Sequence, residues 1–318
     1  MKLGRATREA YGLELRELGR ERDDIVVLDA DLSQSTMTRY FAQEFPDRFF
    51  NMGIQEAHMV GTAAGLALSG KVPFVSSFSS FLLCKAYDQI RMAVAYSKAP
   101  VKLVGSHGGI SLGQDGVSQM SIEDIALAMT FPGFAVVCPA DEVATRLATR
   151  AIAEWPGPAF MRVGRPKAPI VYEHGCPFTL GKAIQLLDGR DVTLIGNGLM
   201  VKACLDAAQQ LEREGISARV LDMHTVKPLD HEAIERAARE TGRIVVAEEH
   251  TIYGGLGSAV ALSVVQRCPV PMAFVALEDT YAESGRPEEL FEKYGLTAER
   301  IAEKALGLVR DGARARSS

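Results

Sequence analysis

Several features that would mark whole classes of protein are missing from this 318-residue chain. Its five cysteines (Cys84, Cys138, Cys176, Cys204, Cys268) are odd in number and scattered, and no two form a CxxC pair. Neither a disulfide framework nor a zinc site is indicated, and a reducing cytoplasm is the simplest home. Positive charge is not in excess: 35 Lys and Arg stand against 40 Asp and Glu, a net charge of −5. No basic field therefore points to nucleic acid or to an anionic membrane. The longest apolar stretches are broken by Gly, Lys or Ser and are too short to span a bilayer. The opening residues, MKLGRATREAYGLEL, are charged and amphipathic and lack the apolar core of a signal peptide.

What remains is an ordinary globular composition, 47% hydrophobic and 24% charged, and a length that suits two α/β domains. Short β-branched runs bounded by turn residues predict strands at 25–28, 73–78, 101–105, 135–139 and 159–163. Helical patterns lie around them, at about 5–18, 55–67, 80–96, 122–129 and 142–153. Strands alternating with helices predict a mostly parallel sheet covered on both faces. The run RPKAPIVYEHGCPFTLGK (165–182) carries Pro and Gly without a helical period and reads as a linker. A second, smaller α/β block follows, with strands predicted at 192–196, 218–221, 244–248 and 273–275. Its helices are predicted at 200–214, 230–240, 256–266 and 298–309. The expected organisation is two doubly wound domains, 1–166 and 185–318, joined by residues 167–184.

Four groups of residues could carry chemistry. Glu56 enters an apolar helical run, GIQEAHMVGTAAGLAL. It could simply sit at a helix start and interact with the dipole. Against Met59 and Val60, however, its neutral form is favoured, and a protonatable carboxyl in a dry site can act as an acid or donate a hydrogen bond. Phe78 and Phe81 follow a predicted strand, with Tyr87 nearly two helical turns on; they are either core or a stacking platform for a flat ring. SHGGISLGQDGVSQMSIED (106–124) places four glycines among His107, Asp115 and Gln119, after a strand. Such a loop lies where open α/β sheets bind ligands, although solvent loops look similar. Arg8, Ser35, His107 and Arg165 are dispersed and could each be a surface residue, or together a phosphate cradle. YGGLGSAV (253–260) opens a helix and is either an anion site or a tight, closely packed turn.

Taken in order, ATREAYG, LDADLSQST, GIQEAHM, SSFSSFLLCKAYDQIRM, GSHGGISLGQDGVSQMSIED, FMRVGRP, LDMHTVKPLD and EEHTIYGGLG resemble transketolase. The resemblance covers the pyrimidine-binding and C-terminal domains of that family. It implies a thiamine diphosphate enzyme in which Glu56 is catalytic, bonding the aminopyrimidine and driving the proton relay that activates the cofactor. Phe81 and Phe78 would pack on the pyrimidine, and Asp31 would lie close to it. Arg8, Ser35, His107 and Arg165 match positions that bind a sugar phosphate, and Asp115 one that contacts substrate hydroxyls. Gln119 departs from the His that many members carry there; the animal-type enzymes have Gln, and hydrogen bonding to substrate is its expected role.

The family also needs a GDG run followed by an Asn to hold Mg2+ and the diphosphate, and no GDG occurs in this sequence. The resemblance therefore implies no metal ligand on this chain. It implies a partner, an N-terminal transketolase subunit with the GDG…Asn motif, in an α2β2 heterotetramer built around a homodimer of this chain. Two other readings stand beside it. One is the β subunit of a 2-oxo acid dehydrogenase E1, or an enzyme like 1-deoxyxylulose-5-phosphate synthase. The other is a scaffold module that has lost catalysis.

Overall fold

The computed structural model describes residues 2–173 and 175–314. Fourteen strands are found among them: β1 Leu3–Ala6, β2 Ile25–Asp29, β3 Phe49–Asn51, β4 Val72–Phe78, β5 Lys102–Ser106, β6 Ala135–Val137, β7 Ala159–Arg162, β8 Lys167–Pro169, β9 Ile184–Leu187, β10 Val192–Gly196, β11 Ala218–Asp222, β12 Thr225–Lys227, β13 Ile244–Thr251 and β14 Met272–Leu277. They form a seven-stranded sheet in the order β12-β6-β7-β5-β4-β2-β3, a five-stranded sheet in the order β14-β13-β10-β11-β9, and a small β1-β8 pair. Every pairing from β6 to β3 is parallel, as is every pairing from β14 to β11. The expected pair of mainly parallel α/β domains is what the chain forms.

The sequence explains why. The β2 and β5 segments, IVVLD and KLVGS, are buried at every position, as strands covered on both faces must be. Helices such as Glu142–Glu154 and His231–Thr241 bury one apolar stripe each. Both start on an aspartate whose side chain accepts an early backbone N–H, Asp141 from Ala144 and Asp230 from Ala233.

The structure adds elements the sequence reading did not foresee, among them β3, β9 and the helices Arg39–Glu44 and Pro287–Lys293, and it differs in three further ways. The helix expected over 80–96 is broken into Ser79–Lys85, Tyr87–Gln89 and a π-helical turn, Ile90–Tyr96. The stretch read as unstructured linker begins with β8, which pairs antiparallel with β1 at the start of the chain. And β12, from the second block, crosses back to pair antiparallel with β6 at the edge of the first sheet. Among the described residues no helix is long and apolar enough to cross a membrane.

Candidate active site

Parallel strands place the residues that follow them along one rim of the sheet, and loops there are free to bind ligands. Asp31 follows β2, Phe78 ends β4 with Phe81 just beyond, His107 follows β5, and Arg165 follows β7. These four strands are neighbours in the sheet.

Glu56 begins the helix Glu56–Leu68 and is 3% exposed. Its Oε1 accepts a hydrogen bond from Ser77 Oγ of β4 at 3.0 Å. Oε2 has no hydrogen-bond donor among the described residues, but lies 3.9 Å from Lys85 Nζ. The same ammonium stands 4.3 Å above the Phe81 ring. Phe81 stacks on Phe78 with centroids 5.5 Å apart, and Phe78 packs on the His107 ring at 3.9 Å. A wall of rings thus runs from Phe81 through Phe78 to His107, with Lys85 linking its Phe81 end to Glu56. The apolar side foreseen for Glu56 exists in buried Met59 and Val60, but the opposite side is polar.

The second cluster forms around His107, which is 2% exposed and held at a positive φ of 60°. Arg8 Nη1 donates to the Ser35 carbonyl at 2.8 Å and approaches His107 Nε2 at 3.2 Å. A guanidinium can only donate, so Nε2 is the acceptor and the ring proton sits on Nδ1, facing Ser106 Oγ at 2.8 Å. Burial, then the positive charges of Arg8 and Arg165, push the His107 pKa down to about 3, so the ring is neutral at physiological pH. Burial, followed by the Arg165 charge, also lowers the Arg8 pKa. Arg8 is set beside the end of β7 by two bonds: Gly164 N–H to Thr7 Oγ1 at 2.6 Å, and Arg8 N–H to the Gly164 carbonyl at 3.3 Å. Arg165 in turn donates to the Leu112 carbonyl at 2.9 Å and to Asp115 Oδ1 at 3.2 Å.

The loop carrying Asp31 and Ser35 is wound around one buried side chain. Asp29 accepts from Leu32 N–H, Thr36 Oγ1 and Thr38 Oγ1 at 2.6, 2.7 and 2.8 Å. Burial raises its pKa in spite of these donors. Asp31 itself is exposed, has a φ of 64° and accepts from Asn51 Nδ2 at 2.9 Å.

The structure brings Arg8, Ser35, His107, Phe78 and Phe81 into contact, and pairs Arg165 with Asp115. It leaves the Gln119 side chain accepting from its neighbour Ser118, while the Gln119 backbone carbonyl accepts from Ser80 Oγ at 3.1 Å. Tyr87 belongs elsewhere: its ring packs on Phe131 and its hydroxyl bonds Thr130. The YGGLGSAV turn proves to be the closely packed alternative. The Leu256 and Gly257 N–H groups already hold the Glu248 carboxylate, at 2.7 and 2.8 Å. Sequence reading missed Ser77 and Lys85; Lys85 lies four residues after Phe81 on one helix, a spacing that puts both on one face. Cys84 is no activated nucleophile, since partial burial of its sulfur and then Glu123 push its thiol up to about 11. Among the described residues no group of three or more His, Cys, Asp or Glu side chains could hold a metal ion.

A buried carboxyl thus keeps one oxygen without a hydrogen-bond donor among the described residues, and Lys85 stands between it and the half-buried Phe81 ring. Residues 4–170 match the transketolase pyrimidine-binding domain, and residues 181–301 the transketolase C-terminal domain. A putative transketolase C-terminal section from Methanocaldococcus jannaschii is 42% identical over 302 residues, 94% of this chain and 95% of that one. The 6-deoxy-6-sulfo-D-fructose transketolase subunit of a Clostridium species is 42% identical over 298 residues, 94% and 92% of the two chains. A solved split gene transketolase, an inactive beta4 tetramer, superposes with a TM-score of 0.88 at 44% identity, covering 96% and 99%. The chain belongs to the transketolase family, and within it to the C-terminal kind found in split enzymes.

Proposed function

We propose that the chain works with an N-terminal partner subunit to move a two-carbon ketol unit from a ketose phosphate to an aldose phosphate. The observation that carries this reading is the meeting, on one rim, of a buried carboxyl, an aromatic wall and a paired-arginine cradle. Thiamine diphosphate, when bound, supplies the centre that cleaves and re-forms the carbon–carbon bond. This chain's residues hold and orient. Glu56 Oε2 takes or shares a proton at the pyrimidine, with Ser77 fixing Oε1. Phe81, backed by Phe78, excludes water from the ring face, and Asp31 stands at the rim beside it. Arg8 and Arg165 take the anionic end of the sugar; neutral His107 holds Arg8 with Nε2, and Ser35 holds it with its carbonyl. Asp115 and Gln119 take substrate hydroxyls. Binding the remote anion positions the reacting carbonyl.

The partner carries the GDG…Asn motif, which holds Mg2+ and the diphosphate, and two pairs assemble as α2β2 around a homodimer of this chain. The inactive beta4 form of the solved relative supports association of such chains without their partner, and without activity. The sulfo-sugar named for the clostridial relative supports an anion-ended ketose as substrate class. Residues 1–166 form the pyrimidine-binding domain and 185–318 the C-terminal domain, with 167–184 between them. Five free cysteines support a cytoplasmic setting.

The test is reconstitution. The purified chain, with magnesium and thiamine diphosphate, is expected to give no ketol transfer until a GDG-bearing subunit is added. Full turnover by the chain alone would overturn the two-component reading, and decarboxylation of pyruvate by the pair without ketol transfer would replace it with an E1-type dehydrogenase.

A further inference from the structure

Three of the proposed substrate contacts, His107, Asp115 and Gln119, ride on the loop 106–124, and the stem of that loop is fastened from the other domain. Arg162 ends β7, and its side chain is 5% exposed. Its Nε lies 3.2 Å from Asp124 Oδ2, its Nη2 donates to the Ser121 carbonyl at 3.0 Å, and its Nη1 donates to the Glu249 carbonyl at 2.8 Å. Asp124, fully buried, also accepts from Ser79 Oγ at 2.6 Å. From β13, Glu249 Oε1 accepts the Ser111 N–H at 2.6 Å. Two backbone bonds close the stem: Gly109 N–H to the Ser121 carbonyl at 2.6 Å, and Thr251 N–H to the Ile122 carbonyl at 2.8 Å. The approach is close. A Cβ on Gly109, whose φ is +81°, would stand 2.1 Å from Glu249 Oε1.

Burying three charges is a poor way to gain stability, because the desolvation cost of each tends to cancel the attraction between them. A fixed geometry is the better account. Every bond in the set runs to the loop or to the strand ends beside it. We infer that Glu249, acting with the Arg162–Asp124 pair, is a positioning residue for the substrate. Through it the C-terminal domain sets the loop over the rim, so that His107 and Asp115 meet the sugar in register. Glu249 touches no reacting atom; it acts through Ser111. The inference rests on the ketol-transfer reading.

The experiment uses the reconstituted complex with fructose 6-phosphate as donor. Glu249→Ala is expected to raise KM for the donor by about tenfold, with kcat changed less than about twofold, since a displaced contact weakens binding in ground and transition states alike. Affinity for thiamine diphosphate, measured by calorimetry, stays as in the wild type. Glu249→Gln restores KM to within about threefold, because its amide oxygen still accepts the Ser111 N–H. Gly109→Ala, a lesion from the loop side, reproduces the KM effect should Glu249→Ala fail to fold. An unchanged KM in these variants, or a Glu249→Gln enzyme as impaired as Glu249→Ala, overturns the inference. A wild-type complex that transfers no ketol unit overturns the reading beneath it instead.

Discussion

Arg8 Nη1 and His107 Nε2 meet at 3.2 Å, and the contact fixes both the tautomer and the charge of the imidazole. With its pKa pushed down to about 3 by burial, Arg8 and Arg165, the ring stays neutral where a free histidine, near 6.5, would charge. In the unfolded chain it takes up a proton below about 6.5; in the folded chain it does not. Its contribution to stability is therefore complete above about 6.5 and is lost as pH falls towards about 3. Nitrogen-15 NMR of the ring at pH 5.5 should show a neutral Nδ1–H imidazole. A protonated signal there would contradict the geometry.

Glu56→Gln keeps the side-chain shape and the Ser77 contact but removes the group that exchanges a proton. Ketol transfer by the assembled enzyme is expected to fall about 10²- to 10⁴-fold, the usual range for a lost acid–base group. Circular dichroism and the melting temperature should stay close to wild type. Activity within twofold of wild type would remove Glu56 from the chemistry.

Arg165 makes its bonds with one nitrogen, Nη1, and is partly exposed, so its fork can turn to an incoming anion. Arg165→Ala should raise KM for a sugar phosphate about tenfold to a hundredfold, as the loss of a charged hydrogen bond does. KM for the same sugar without its phosphate should hardly move. Equal effects on both would point to disordering of the loop rather than to anion recognition.

Gly12 lets the helix Thr7–Glu21 approach the turn at Met37. A Cβ there would lie 2.4 Å from the Met37 carbonyl oxygen, a backbone atom that cannot swing away. Gly12→Ala should cost about 1–3 kcal/mol of stability, as overpacking does. Urea titration measures the loss, and an unchanged midpoint would refute the tight approach.

The parallel sheets were legible because β2, β5 and β10 are short, mainly apolar runs rich in Val, Ile and Leu and bounded by turn residues. The same periodicity hid the break at Ala86, where the Ser79–Lys85 helix ends and a π-helical turn begins two elements later. β12 was illegible for a different reason. Its three residues have no pattern of their own, and they are a strand only because the β6 edge lies open beside them. At the site, residue type and place left Glu56 as a helix-start or a buried acid and Phe78 and Phe81 as core or a platform, and only the resemblance chose between them. What no spacing could show was which partners each would find across the fold: Lys85 over Phe81, Arg8 against His107, Glu249 under Ser111.

β12 also has a bearing on how this polypeptide can be divided. Its three residues sew the later half into the border of the earlier sheet, and Lys227 tethers that stitch by donating to the Met129 and Phe131 carbonyls. One apolar cluster continues across the seam, from Val75 and Leu103 to Ile195 and Val246. Scissors applied at the connecting segment would leave a raw sheet margin and a torn core on each fragment. The two halves should therefore melt as one body.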